Sequence, residues 1–183
     1  MIQDILIPLI TVGLAEFGDK TQLSLLLLSS KTKKHLQLLL GVMLAFFIVD
    51  GIAILVGSEI INILPVSFLK IISGIVFIIF GILILRDNEV KHMDKLYSKN
   101  SFISGFVLIF MTEWGDKTQI ASGLFAIEYN ALMVLIGAMT ALAILSIMAI
   151  YLGKFVSDKI DKKLMTKISG VIFILMGVSF FFL

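Results

Sequence analysis

The sequence predicts an all-α membrane protein of six transmembrane helices laid out as two inverted three-helix repeats. Three observations lead there. The 183 residues are 59% hydrophobic and only 15% charged, with a mean hydropathy of +1.09, whereas about 25% of a soluble domain is charged. Six apolar runs each reach the roughly 20 residues that a bilayer crossing requires. One acidic heptapeptide also occurs twice, as Glu16-Phe17-Gly18-Asp19-Lys20-Thr21-Gln22 and Glu113-Trp114-Gly115-Asp116-Lys117-Thr118-Gln119, identical at six of seven places. A single transmembrane domain over 1–183 is expected, because no connection is long enough to hold a soluble one.

The six runs lie at about 5–29, 36–57, 65–85, 102–127, 131–153 and 164–183. The first follows Met1-Ile2-Gln3-Asp4, which has neither a positive leader nor a small-residue cleavage site, so this helix is expected to stay in the mature protein. The connections are a Ser/Lys turn at 29–35, a loop with Asn62 that ends at Pro65, a polar stretch at 86–101, a turn at 128–130 and a Lys/Asp stretch at 154–163. Lys31, Lys33 and Lys34 fall in the first. The third holds Arg86, Lys91, Lys95 and Lys99, and the fifth region Lys154, Lys159, Lys162, Lys163 and Lys167, so 12 of the 15 basic residues share one side. Of the other three, Lys70 opens the third span and Lys20 and Lys117 belong to the motif. By the positive-inside rule the odd loops face the cytoplasm and both termini of a multi-pass protein lie outside it. His35 and His92 then read as solvated loop residues.

The two halves are copies. Residues 71–85 align with 167–181, matching Ser73, Gly74, Phe77 and Gly81 to Ser169, Gly170, Phe173 and Gly177 at an offset of 96, one less than at the motif. The repeats run about 1–87 and 98–183, with a cytoplasmic linker at about 88–97. Three spans is an odd number, so the second copy must be upside down, the plan of many secondary transporters. Each motif Glu lies about 11 residues into its span, near the midplane from either face. Glu16, Asp19, Glu113 and Asp116 are therefore expected around one central site.

An ionised side chain at the bilayer centre costs about 2.5 to 3.5 kcal/mol on insertion scales, so the six in the motifs imply of order 15 kcal/mol or more. In an unbroken helix the Glu, Asp and Lys of each motif would share one face. Gly18 and Gly115 permit either close helix approach or local unwinding that frees backbone carbonyls. Thr21, Gln22, Thr118 and Gln119 add neutral oxygens, and such all-oxygen surroundings suit hard divalent cations. Four carboxylates and two ammoniums leave the site near −2. One divalent cation neutralises that charge, and so do two protons. Competition for the same oxygens, at a site open to one side at a time, amounts to cation/proton exchange.

The duplicated E-φ-G-D-K-T on the first helix of each half resembles the calcium/manganese:proton exchanger family of Golgi and chloroplast membranes, which includes bacterial manganese exporters. The likeness covers essentially the whole chain. It implies a six-helix fold and cation-binding acids at Glu16, Asp19, Glu113 and Asp116, with Lys20, Thr21, Lys117 and Thr118 as motif companions. The chain lacks the N-terminal extension and long central loop of organellar members, so a prokaryotic cell membrane is expected.

Other readings stand beside this one. Glu16 with Lys20 and Glu113 with Lys117 would make a structural ion-pair network. A cationic amino-acid exporter would also use paired midplane acids, and an intramembrane enzyme would use two carboxylates for acid/base work. The Gly-Asp-Lys-Thr string lacks the full phosphate-loop pattern, which excludes a nucleotide partner, and nothing points to nucleic acid. No Cys is present, and no His or Ser constellation suggests catalysis, so neither a catalytic residue nor a cofactor is expected, only a manganese or calcium ion and protons as substrates and lipid as solvent. A homodimer is left open. Asp50, whose repeat counterpart is Ser146, reads either as a proton-path residue or as a helix-packing acid. Ser24 reads as a helix-packing hydroxyl ahead of an extension of the polar face, Glu59 and Glu128 as outer-end acids that either are simply solvated or funnel cations, and the paired glycines form a small-residue stripe for helix contact.

Overall fold

The computed structural model describes residues 2–30, 32–60, 62–86, 100–157 and 162–181. Lys31, Lys159 and the expected linker at 88–97 with His92 lie outside the described residues, as does the side chain of Lys20. Eight helices account for nearly all of the described chain: α1 Ile2–Glu16, α2 Lys20–Ser30, α3 His35–Ile60, α4 Val66–Arg86, α5 Ser101–Glu113, α6 Lys117–Glu128, α7 Ala131–Ser157 and α8 Lys162–Ser179. Eight arise where six runs were expected because the runs at 5–29 and 102–127 are each split in two at the motif. Among the described residues two helices are long and apolar enough to cross a bilayer, His35–Ile60 and Ala131–Tyr151, with mean hydropathies of 2.7 and 2.5. Lys70–Leu83 and Ser101–Glu113 are shorter apolar segments.

Large apolar side chains are exposed on many helices, and a group of polar and charged side chains is buried within an otherwise apolar core. Leu6 and Ile10 of α1, Leu36, Leu40 and Leu44 of α3, and Ile71, Ile75 and Ile79 of α4 are exposed at four-residue spacing, while Glu16, Thr21, Asp50, Glu113, Thr118 and Ser146 are buried. His35 is not a free loop residue: it opens α3, its Nε2 meets Ser29 O at 3.2 Å and its ring packs edge-on to Tyr151. Closing the short 29–35 turn is what brings it there.

Between apolar helices in lipid, close backbone approach through small residues replaces hydrophobic drive. The glycine stripe serves this purpose. A Cβ on Gly74 would stand 2.8 Å from Gly177 O, and one on Gly81 would stand 2.7 Å from Gly170 O, so α4 and α8 touch backbone to backbone. Gly41 of α3 abuts the Phe102 carbonyl of α5, and Gly137 of α7 abuts the Ile5 carbonyl of α1 in the same manner. Beyond these pairs, α3 packs on α6, α2 on α7, and α3 on α7. Phe77 of α4 sits among Phe125, Phe173 and Phe180, with ring centroids 5.0 to 5.5 Å away. The α3/α7 crossing lies directly behind the two motif breaks.

Candidate metal centre

Neither motif is a continuous helix. In the second, Trp114 has φ −67° and ψ 114°, Gly115 has φ 79°, and Asp116 N–H donates to Glu113 O at 3.1 Å. That is a type II β-turn, whose third position demands positive φ and hence glycine. The first motif repeats it, with Gly18 at φ 78° and Asp19 N–H donating to Glu16 O at 3.2 Å. Among the described residues these are the only two with positive φ. Of the two roles open to the motif glycines, local unwinding is the one found. The single-face stripe of an unbroken helix is not formed, because each Glu ends one half-helix and each Asp precedes the next. Asp116 occupies the N-cap position of α6 without a capping bond from its side chain.

The motif glutamines hold the breaks. Gln22 Oε1 accepts from Gly18 N–H at 2.7 Å and Gln119 Oε1 from Gly115 N–H at 2.6 Å. Their amide groups donate in the other direction, Gln22 Nε2 to Leu145 O of α7 at 3.5 Å and Gln119 Nε2 to Val49 O of α3 at 3.0 Å. Each break is thereby tied to the long helix behind it, next to Ser146 in one case and Asp50 in the other.

The turns bring acids from both motifs together. One oxygen from each of Glu16, Asp19 and Asp116 lies within 4.8 Å of the other two. Glu16 is buried and its Oε1 has no hydrogen-bond partner among the described residues. Glu113, also buried, lies close enough for its charge to bear on Glu16. Its Oε1, however, is occupied: it accepts from Thr21 Oγ1 at 2.5 Å, while Thr112 Oγ1, 3.3 Å away, donates its one proton to Leu108 O at 2.9 Å. Lys117 Nζ reaches Asp19 of the other motif at 3.2 Å, so it does not form the intramotif pair with Glu113. The break moves Lys117 into the first turn of α6, away from the face Glu113 occupies. Thr118 is buried, with Oγ1 3.5 Å from Asp116 Oδ2.

Asp50 is buried behind the second break, and its Oδ1 has no partner among the described residues. Behind the first break, Ser146 is buried with an unpartnered Oγ and lines a small cavity together with Glu16, Thr21 and Gln22. Sequence reasoning had passed over Ser146 as a site residue. The available signal was its alignment with the one buried acid outside the motifs. Glu128, read as solvated or as funnelling cations, is instead paired with Lys70 at 3.2 Å, and Glu59 accepts from Asn62 at 3.2 Å.

Buried acids from two broken helices, enclosed by an exterior rich in exposed apolar side chains, are the construction of a membrane cation transporter. The chain belongs to the divalent cation/proton antiporter GDT1 family, whose model matches residues 4–92 and 101–182. That family consists of transporters rather than enzymes, which sets aside acid/base catalysis. The chain is 30% identical to a Vibrio cholerae protein named "Putative manganese exporter", over 94% of this chain and 88% of that one. A GDT1-like protein of Synechocystis is 28% identical over 93% and 92% of the two chains. A GDT1-like protein of Schizosaccharomyces pombe is 24% identical over 91% and 85%. No solved structure matches the chain.

Proposed function

We propose that this antiporter exchanges a manganese-class divalent cation for protons at the junction of the two motif breaks, with Glu16, Asp19, Glu113 and Asp116 as the acidic ligands. The observation that carries the reading is the approach of Glu16, Asp19 and Asp116 oxygens to within 4.8 Å, across two segments 97 residues apart. Carboxylate and hydroxyl oxygens with no nitrogen or sulfur ligand suit manganese or calcium, and the name of the Vibrio cholerae relative favours manganese. Lys117, Thr21, Thr118, Gln22 and Gln119 support the site, Lys20 belongs to it by its place in the motif, and Asp50 is a candidate for the proton path. No resident cofactor is needed, because the metal is cargo.

The single 1–183 domain is read as six bilayer crossings, the α1/α2 and α5/α6 pairs each making one, in two inverted repeats. Helix packing supports this. Exchanging α1–α4 for α5–α8 turns the α3/α5, α3/α6 and α3/α7 contacts into α7/α1, α7/α2 and α7/α3, all of which occur. Loop charge supports a cell-membrane orientation with both termini outside the cytoplasm. Rocking of one repeat against the other would open the site to each side in turn.

The test is reconstitution in liposomes with an imposed pH gradient, following manganese and calcium flux and the accompanying proton movement. Glu16→Gln, Asp19→Asn, Glu113→Gln and Asp116→Asn should each abolish or severely reduce exchange, and external lysine should not compete. Parental flux in all four variants would refute the assignment.

A further inference from the structure

The two halves of the site are not equivalent, and the difference identifies where the ion sits. At corresponding places in the motif, Glu113 Oε1 accepts from Thr21 Oγ1 whereas Glu16 Oε1 has no partner among the described residues. Behind the Glu113 side stands Asp50. Behind the Glu16 side stands the shorter Ser146, and here there is open space: a cavity of about 20 Å³, bounded by Glu16, Thr21, Gln22 and Ser146 and closed on its apolar side by Leu25 and Phe46. That volume admits one water-sized particle.

Hydroxyls within a helix ordinarily bond to a carbonyl three or four residues back, as Ser29, Ser58, Thr112, Thr140 and Ser179 all do here. Three buried helix serines, Ser73, Ser122 and Ser146, have no partner among the described residues, and of these Ser146 lines the cavity beside Glu16. Ser146 Oγ, only 2% exposed, forgoes that bond and has no other partner among the described residues. A buried hydroxyl left unsatisfied costs about 1 to 3 kcal/mol. Facing a cavity beside an unpartnered carboxylate oxygen, it is relieved by a particle that accepts oxygen lone pairs. The other polar lining agrees. Thr21 Oγ1 keeps its acceptor capacity while donating to Glu113, and the Gln22 amide nitrogen is turned away toward Leu145 O.

We propose that Ser146 Oγ is a ligand of the transported cation when it occupies the pocket beside Glu16, a seat that shares Glu16 with the Glu16, Asp19 and Asp116 cluster but is not itself lined by Asp19, Glu113 or Asp116. The second half, with Asp50 in the corresponding place, closes around the ion without offering it an equal seat. This rests on the exchanger reading above but assigns a residue and a position that the motif does not contain.

The experiment measures manganese flux in the same liposomes for Ser146→Ala, Ser146→Thr and Ser146→Cys, each first checked for monodisperse extraction. Loss of one ligand oxygen in Ser146→Ala should raise the KM for manganese roughly fivefold to tenfold, with the maximal rate little changed, and Ser146→Thr should restore it. The parent has no cysteine, so Ser146→Cys introduces the molecule's first thiol. A soft sulfur ligand should make cadmium inhibit manganese flux at roughly tenfold lower concentration than in the parent. A fall in maximal rate with KM and cadmium sensitivity unchanged overturns the proposal and marks Ser146 as a packing residue. If Glu16→Gln is inactive in that same series, only the Ser146 assignment is lost. If Glu16→Gln exchanges normally, the exchanger site itself has been misplaced.

Discussion

Replacing Gly115 by Ala isolates the turn from everything around it. A Cβ at this position would meet nothing within 4 Å, so no steric term enters, and the whole effect must come from the backbone at φ 79°. Holding an L-residue in the left-handed region costs about 1 to 2 kcal/mol. Removing glycine's freedom from the unfolded chain returns about 0.4 to 1 kcal/mol. The net loss is about 1 kcal/mol, or roughly 2 to 4 °C in midpoint for a chain of this size. Gly115→Asn should lose less, since asparagine tolerates positive φ. Thermal unfolding of the purified protein in detergent reads the stability, and manganese flux reads the function. Flux should fall by more than the stability change explains, because relaxing the turn toward helix carries Asp116 out of the N-cap position and away from Glu16 and Asp19. An Ala variant as stable and as active as the parent would refute the claim that the break must be a type II turn.

Two further outcomes follow from the same structure. Gly137→Ala pushes a methyl group into the Ile5 carbonyl of α1 and should destabilise the protein by about 1 to 3 kcal/mol, whereas Gly51→Ala in α3 meets nothing within 4 Å and should be neutral or gain up to about 1 kcal/mol from helix propensity; thermal unfolding of both variants checks the contrast. Because metal and protons share carboxylate oxygens, acidifying the side from which the metal loads should raise the KM for manganese and leave the maximal rate at saturating metal unchanged. Initial flux rates across a pH series at fixed gradient measure this, and a pH-independent KM would separate the proton route from the metal site.

The duplicated motif was legible in the sequence because it is short-range, but its backbone stayed open between close helix approach and unwinding, and the glutamines read as neutral oxygens rather than as the clamp each makes on a glycine N–H. The glycine stripes of α4 and α8 were legible for the same reason, since residues seven apart stay on one face. Long-range information was harder to read. Lys117 pairs with Asp19 of the other motif, a choice made by how the two breaks cross, whereas sequence spacing offered only Glu113. Glu128 meets Lys70 because α6 ends beside the start of α4. Ser146 carries no sequence signal beyond its alignment with Asp50, and what sets it apart from the other unpartnered helix serines, Ser73 and Ser122, is the cavity it lines in three dimensions.

The asymmetry between Asp50 and Ser146 bears on how one site could bind either a metal ion or protons. Two identical halves would offer the cation two equal seats, one on each motif, and an ion could pass between them without any change in the helices. With Glu113 held by Thr21 and Glu16 left with an open oxygen, the first half presents the better metal ligand. Asp50, buried near the second half with one oxygen unpartnered, adds a fifth carboxyl group that the ion in the first half need not touch. A carboxyl group apart from the metal is available to carry a proton while the metal is bound, so Asp50→Asn should alter the number of protons moved per manganese ion more than it alters manganese affinity. Measuring both in the same liposomes decides the matter: an unchanged proton count with a weakened manganese KM would put Asp50 on the metal and remove the division of labour between the halves.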